Sequence, residues 1–188
     1  MVEGVVKGWG ELNVMVENAE IAKYAHITEM TTDEFDKVFA VNVRGTFLCY
    51  KYAGKQMIKQ GKGGRIVGAA SVAGKMGALN ASAYCGSNTE ELRVVSTAAK
   101  EFGPYGTTVN VYAPGAIDTS MMDYLSEESE KYNDLSPGDW MKRLAQNLPL
   151  KRNGNTEDVA GLVSYLVSKK AGFITGQNVS INGGSFCD

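Results

Sequence analysis

Three polar side chains stand where the chain changes pattern, and their spacing suits proton chemistry at an oxygen atom. Ser71 follows the apolar run RIVGAA, Tyr84 comes about a dozen residues later, and Asn88 stands four positions further on. A serine hydroxyl donates and accepts, a phenol can hold a proton against a substrate oxygen, and an amide can orient either without adding charge. An ordinary tyrosine ionises near 10, which leaves only about one phenolate in a thousand at neutral pH. A nearby cation would lower that value and a carboxylate would raise it. Glu91, seven residues after Tyr84, shares its helical face and acts in the raising direction. Lys75, in the loop after Ser71, is the nearest cation by sequence. Plainer roles exist too: Ser71 as a strand-end cap, Tyr84 as a partly buried helix aromatic.

The elements that must position these groups are legible from pattern. Arg65 to Ala70 is short, apolar and bounded by Gly61, Gly63 and Gly64, as expected of a parallel strand covered on both faces. From Tyr84 onward Leu92, Val95 and Ala99 recur at helical spacing, with Glu90, Glu91, Arg93 and Lys100 filling the other positions. Upstream, Met1 to Gly10 reads as a helix end and Leu12 to Val16 as a short strand, followed by the turn Glu17-Asn18-Ala19-Glu20. Thr31 and Glu34 form a capping box that launches a helix through Phe35, Val38 and Phe39. Asn42 separates that helix from a second, Thr46 to Gln60. Downstream come a strand from Thr107 to Tyr112, a Pro114-Gly115 turn, a charged and mixed segment over 118–148, a helix opened at Thr156 and a strand from Asn178 to Ile181.

A serine ending a strand and a tyrosine opening the next helix resemble the active-site signature of the short-chain dehydrogenase/reductase family. The phrase around Asn42, the Ala-Pro-Gly at 113–115, and Ile-Thr-Gly-Gln before a last strand and Gly-Gly extend that resemblance over nearly the whole chain. The tail resembles the acetoin and diacetyl reductase branch. The resemblance implies an α/β fold of Rossmann-like, doubly wound type, and a tetrad carried here by Asn42, Ser71, Tyr84 and Asn88. It implies NAD or NADP as cofactor, touched by Asn18, Ala19, Pro114, Gly115 and Thr119, and a small carbonyl or alcohol as substrate. The 118–148 stretch corresponds to a substrate lid.

Two departures from the family pattern bear on chemistry. The family's lysine, four after the tyrosine, is Asn88 here, so the charge that tunes the phenol is absent. The family's Asn-Asn-Ala-Gly turn is Glu17-Asn18-Ala19-Glu20, which places a carboxylate near an anionic nucleotide. A glycine-rich phosphate loop is not found before the first strand; Gly61, Gly63 and Gly64 follow a helix and precede a strand, the wrong order for one. The expected form is therefore a truncated sheet of about four strands, one domain over 1–188, with impaired or no dehydrogenase activity. Alternatives are a non-catalytic binding or assembly protein, or a reductase whose nucleotide half comes from a partner. The strand near Leu12 becomes an apolar edge that invites self-association, and in the family the helices at 46–60 and 84–102 form dimers, so a homo-oligomer is expected.

Composition narrows the partners. With 188 residues, 44% hydrophobic, 21% charged and a net charge of −2, the chain has the make-up of an ordinary globular domain and no basic excess for nucleic acid or an anionic membrane. No apolar run reaches membrane length, so the cytoplasm is the expected compartment. The three scattered cysteines and the single histidine suggest neither a disulfide framework nor a metal site.

Overall fold

The computed structural model describes residues 1–187. Four strands form one parallel sheet in the order β1-β2-β3-β4: β1 (Val14–Glu17), β2 (Gly64–Ala69), β3 (Thr107–Pro114) and β4 (Asn178–Ile181). The seven α-helices are α1 (Val2–Trp9), α2 (Thr32–Phe39), α3 (Thr46–Gln60), α4 (Ser82–Phe102), α5 (Ser120–Asn133), α6 (Asp139–Asn147) and α7 (Thr156–Val167). Each parallel pair is joined by a crossover containing helix, as parallel pairing requires.

The two faces of the sheet bury different sets. Met15, Ile66, Val109 and Val111 pack with Tyr50, Ala53 and Met57 of α3 and with Val95, Ala98 and Ala99 of α4. Val2, Val5 and Val6 of α1 close over this layer. On the opposite face Val67, Ala69 and Tyr112 meet Leu166, Val159, Leu162 and Val163 of α7. The sandwich explains the unbroken apolar run in β2, buried from Ile66 to Ala69.

Local signals account for most boundaries. Thr31 accepts from the Glu34 backbone while the Glu34 carboxylate accepts from the Thr31 backbone, completing the capping box of α2. The last helix opens at Thr156 as expected and is capped by Asn155, which forms a second capping box with Asp158. β1 begins at Val14 rather than Leu12. The Leu12 backbone is taken instead by the Gln60 side chain, which accepts from Leu12 N at 2.8 Å and donates to Leu12 O at 3.0 Å. Residues Ala40–Gly45 between α2 and α3 form a π-helical turn, and Asn42 lies fully buried within it. The 118–148 segment holds α5 and α6, tied together where Glu130 Oε1 accepts from Ser126 Oγ at 2.9 Å and from Trp140 N at 3.2 Å.

β1 is an edge strand with no second hydrogen-bonded neighbour among the described residues. Met15 is buried, whereas Val14 and Val16, pointing to the other face, are 38% and 43% exposed. The face asymmetry makes a stability prediction. In chemical denaturation Met15→Ala should cost about 2–5 kcal/mol as a buried truncation, while Val14→Thr should stay within about 0.5 kcal/mol. Equal losses would mean that the Val14 face is covered in solution.

Candidate functional site

The carboxyl ends of the strands and the loops after them bound a cavity of about 780 Å³. Ser71 and Tyr84 stand on its wall with Asn18, Glu20, Tyr112, Pro114, Gly115 and Thr119. Apolar side chains from α5, α6 and α7, among them Met121, Leu125, Trp140, Leu144 and Val163, close the far side. Tyr24 of the preceding loop donates to Ser129 of α5 at 3.4 Å, joining wall to cover. Glu20 is the one charged residue among the described lining residues.

Glu20 is also the centre of the polar end. Its Oε2 accepts from the Tyr84 hydroxyl at 3.0 Å and its Oε1 from Asn88 Nδ2 at 2.5 Å. Asn88 Nδ2 additionally donates to the Tyr84 backbone carbonyl at 3.0 Å, which fixes the amide one turn below the phenol. Asn88 is fully buried and its Oδ1 has no hydrogen-bond partner. Ser71, at the end of β2, accepts from Ala73 N at 3.1 Å, and its hydroxyl acts on Tyr84 in the lowering direction. The short helical turn after it, Val72–Gly74, lies against α4, and a Cβ on Gly74 would meet the Asn88 backbone at 2.8 Å. Glycine at 74 therefore sets how closely the serine loop approaches the tyrosine helix.

Two more carboxylates stand behind Glu20. Glu91, one turn beyond Asn88, is 1% exposed and accepts from Thr46 Oγ1 at 2.8 Å. Glu17, closing β1, is 5% exposed and raises Glu91 from nearby, and Oε2 of each carboxyl has no hydrogen-bond partner. The spacing sets Glu91 on the Tyr84 face of α4, and there this polar face turns inward onto Thr46. Burial pushes Glu20 up to about 7, against the pull of its Asn88 and Tyr84 bonds. Burial, then the Glu20 charge, pushes Glu91 up to about 9. Burial raises Tyr84 well above the ordinary phenol value, and Glu20 raises it further. Glu91 adds to that, in the direction its spacing implied, but as a smaller contributor than Glu20.

The four tetrad positions divide into two kinds. Ser71 and Tyr84 face the cavity. Asn42 does not line it: its amide is spent on the Ile21 backbone, accepting from N at 3.0 Å and donating to O at 2.9 Å, and on Ser87 Oγ at 3.0 Å. Asn42 thereby holds the residue next to Glu20. Asn88 acts on the cavity only through Glu20. Of the cofactor candidates, Asn18 accepts a short hydrogen bond from the Tyr112 hydroxyl, Pro114, Gly115 and Thr119 line the cavity, and Ala19 is exposed beside it. Lys75 does not serve as a substitute cation. Its ammonium bonds Ser180 Oγ at 2.7 Å and Asn178 O at 3.2 Å on β4.

The raised carboxyls tie stability to pH. Glu17, Glu20 and Glu91 all have folded values above the ordinary 4.5, so their protonated forms favour the fold. That contribution is complete below the ordinary value and is lost as pH rises through about 7 for Glu20 and about 9 for Glu91. The melting temperature should fall from mildly acidic to alkaline buffer, and Glu91→Gln should flatten the alkaline part of the fall. A melting temperature that climbs across this range would contradict the burial of these groups.

Comparison with known proteins agrees with this geometry. The family model described as enoyl-(acyl carrier protein) reductase matches residues 1–185. A short-chain dehydrogenase/reductase of Armillaria gallica is 44% identical over 188 residues, 100% of this chain and 70% of that protein. A diacetyl reductase, (S)-acetoin forming, of Staphylococcus epidermidis is 37% identical over 185 residues, 98% of this chain and 72% of the relative. The crystal structure of an NAD+-bound xylitol dehydrogenase superposes with a TM-score of 0.89 at 30% identity, over 97% of this chain and 72% of that one. With its parallel α/β sheet, the Ser71 and Tyr84 pair at the strand ends and matches along its whole length, the chain belongs to the short-chain dehydrogenase/reductase family.

Proposed function

We propose that the chain is an oxidoreductase relative that binds a small alcohol or carbonyl compound at Ser71 and Tyr84, with nicotinamide-dependent turnover weak or absent in this form. The observation that carries the reading is the Tyr84–Glu20 hydrogen bond. To reduce a carbonyl, a tyrosine must give its proton to the substrate oxygen; here an anionic acceptor already holds that proton at 3.0 Å. To oxidise an alcohol, the tyrosine must become phenolate, and burial together with Glu20 makes that ionisation harder. Asn88 supplies a hydrogen bond where a cation would lower the phenol, and directs it at Glu20.

NAD or NADP, when bound, supplies or accepts a hydride. Pro114, Gly115 and Thr119, which line the cavity, are the residues that would meet a nicotinamide ring. The charge does not match: the described lining carries a carboxylate and no lysine, arginine or histidine to pair with the pyrophosphate of a dinucleotide. What the chain's own groups do is orient a ligand oxygen at Ser71 and Tyr84 and exclude water behind α5 and α6. Self-association belongs to the same reading, supported by exposed Phe47 and Tyr52 on α3 and by the open face of β1.

The test separates the two departures from the family pattern. Asn88→Lys alone sets an ammonium against Glu20, which neutralises it; Asn88→Lys with Glu20→Gly leaves the charge for the phenol. Phenolate absorbance of Tyr84, taken as the difference from Tyr84→Phe, should move to lower pH in both variants and clearly further in the double one. With NADH or NADPH and a small vicinal diketone, the unsubstituted chain should turn over at least about a hundredfold below the ordinary enzyme median of about 10 per second. Saturable turnover at ordinary rates would overturn the proposal.

A further inference from the structure

The polar end of the cavity points its donors inward. Tyr84 donates to Glu20, and Asn88 donates to Glu20 from below. A ligand arriving from the cavity therefore meets lone pairs: those of the Tyr84 oxygen and the two that Glu20 keeps after accepting one bond on each oxygen. It also meets a negative charge with no counter-charge among the described lining residues. The rest of the wall is apolar, with Met76, Met121, Leu125, Trp140 and Leu144. In such surroundings a complementary charge is worth more than at the open surface.

We infer that the cavity selects a ligand with a cationic, hydrogen-bond-donating head on an apolar body: a protonated amine beside a hydroxyl, the ammonium on Glu20 and the hydroxyl donating to Tyr84. The inference rests on the proposal that Ser71 and Tyr84 form a ligand-binding end, and narrows its substrate class from alcohols and carbonyls in general to amino alcohols. A ketone receives no proton from the Tyr84 hydroxyl while that hydroxyl donates to Glu20. A carboxylate or phosphate is repelled. The groups facing Glu20 are Glu17 from β1, Tyr84 and Glu91 from α4, and Tyr112 from β3, none of which supplies a positive charge. Because burial raises Glu20 to about 7, acidification removes the charge that the ammonium needs, and affinity should rise with pH across that value.

The test needs no nucleotide. Quenching of Trp140 fluorescence, taken against Trp140→Phe, follows binding of phenylethanolamine, its uncharged isosteres phenylglycol and phenacyl alcohol, and the N-methylnicotinamide cation, which has charge but no ammonium donor. One pH unit above the Glu20 value of about 7, phenylethanolamine should bind at least about tenfold tighter than either isostere. One unit below, and in Glu20→Gln at either pH, that preference should collapse; Glu20→Asp should keep part of it. Equal affinity for the amine and phenylglycol above the Glu20 value would overturn the inference. So would an amine preference that survives in folded Glu20→Gln, or N-methylnicotinamide binding as tightly as the amine. Diketone turnover with NADH would sink the proposed loss of activity yet leave amine selection standing, so the two failures are distinguishable.

Discussion

A carboxylate withdrawn from water needs a donor on each oxygen, and Glu20 finds both within one turn of α4. That demand organises the surrounding structure. The turn after β1 must come close enough for Glu20 to reach Tyr84 and Asn88, and Asn42 holds the backbone beside it by bonding both polar atoms of Ile21. The π-helical turn between α2 and α3 turns Asn42 inward. It also brings Thr46 to the position where its hydroxyl bonds both the Asn42 carbonyl at 2.5 Å and Glu91 at 2.8 Å. Such turns inside helices gather at functional sites, because the extra residue re-aims side chains that a regular helix would point elsewhere. Here it aims two polar residues at a layer that would otherwise be apolar.

The sheet determines where this arrangement opens to a ligand. In a parallel sheet all strands end on the same side, so the turn after β1, Ser71 after β2 and the Pro114-to-Thr119 loop after β3 converge without long-range folding of the loops themselves. Ligands of open α/β sheets lie outside these carboxyl ends. α5 and α6 then supply the apolar cover. A cavity with one ionic wall group results, and the low polarity of the cover strengthens whatever that group does.

How much of this could be read from residues depends on the range of the interaction. Elements were legible because their causes are local: the Thr31 capping box, the glycines flanking β2, the spacing of Leu92, Val95 and Ala99. The boundary error at Leu12 has a long-range cause, a glutamine side chain 48 residues away that takes the backbone bonds a strand would use. Ser71 and Tyr84 were legible because a family pattern carries them. Glu20 was visible only as a missing glycine and an added charge. That it sits on Tyr84, 64 positions later, follows from the packing of the β1 turn onto α4 and from nothing in its neighbours. The spacing of Glu91 placed it on the Tyr84 face, but its burial has a similar long-range cause. A glutamate among charged neighbours on a helix normally faces water; here the hydroxyl of Thr46, 45 positions away, gives its carboxyl a buried donor.

Glu20 and Asn88 are best understood as one change and not two. The family pattern that the chain resembles puts a lysine at position 88 and a glycine at position 20. A lysine opposite Glu20 would be consumed in a buried ion pair, whose desolvation cost offsets much of its attraction, and it would be unable to tune the phenol. An asparagine opposite glycine would leave a gap where the longer side chain ended, with the loss that voids carry. Asparagine with glutamate avoids both: the longer acid fills the space the shorter amide vacates, and the amide gives the acid a donor at 2.5 Å. The electrostatic outcome is nonetheless inverted. The residue pair beside Tyr84 passes from a single positive charge to a single negative one once Glu20 ionises; burial first, and for Glu91 then the Glu20 charge, make Glu17 and Glu91 behind it resist ionisation of their own. A pocket can keep the shape of its family through such an exchange while reversing the sign of the field at its reactive oxygen.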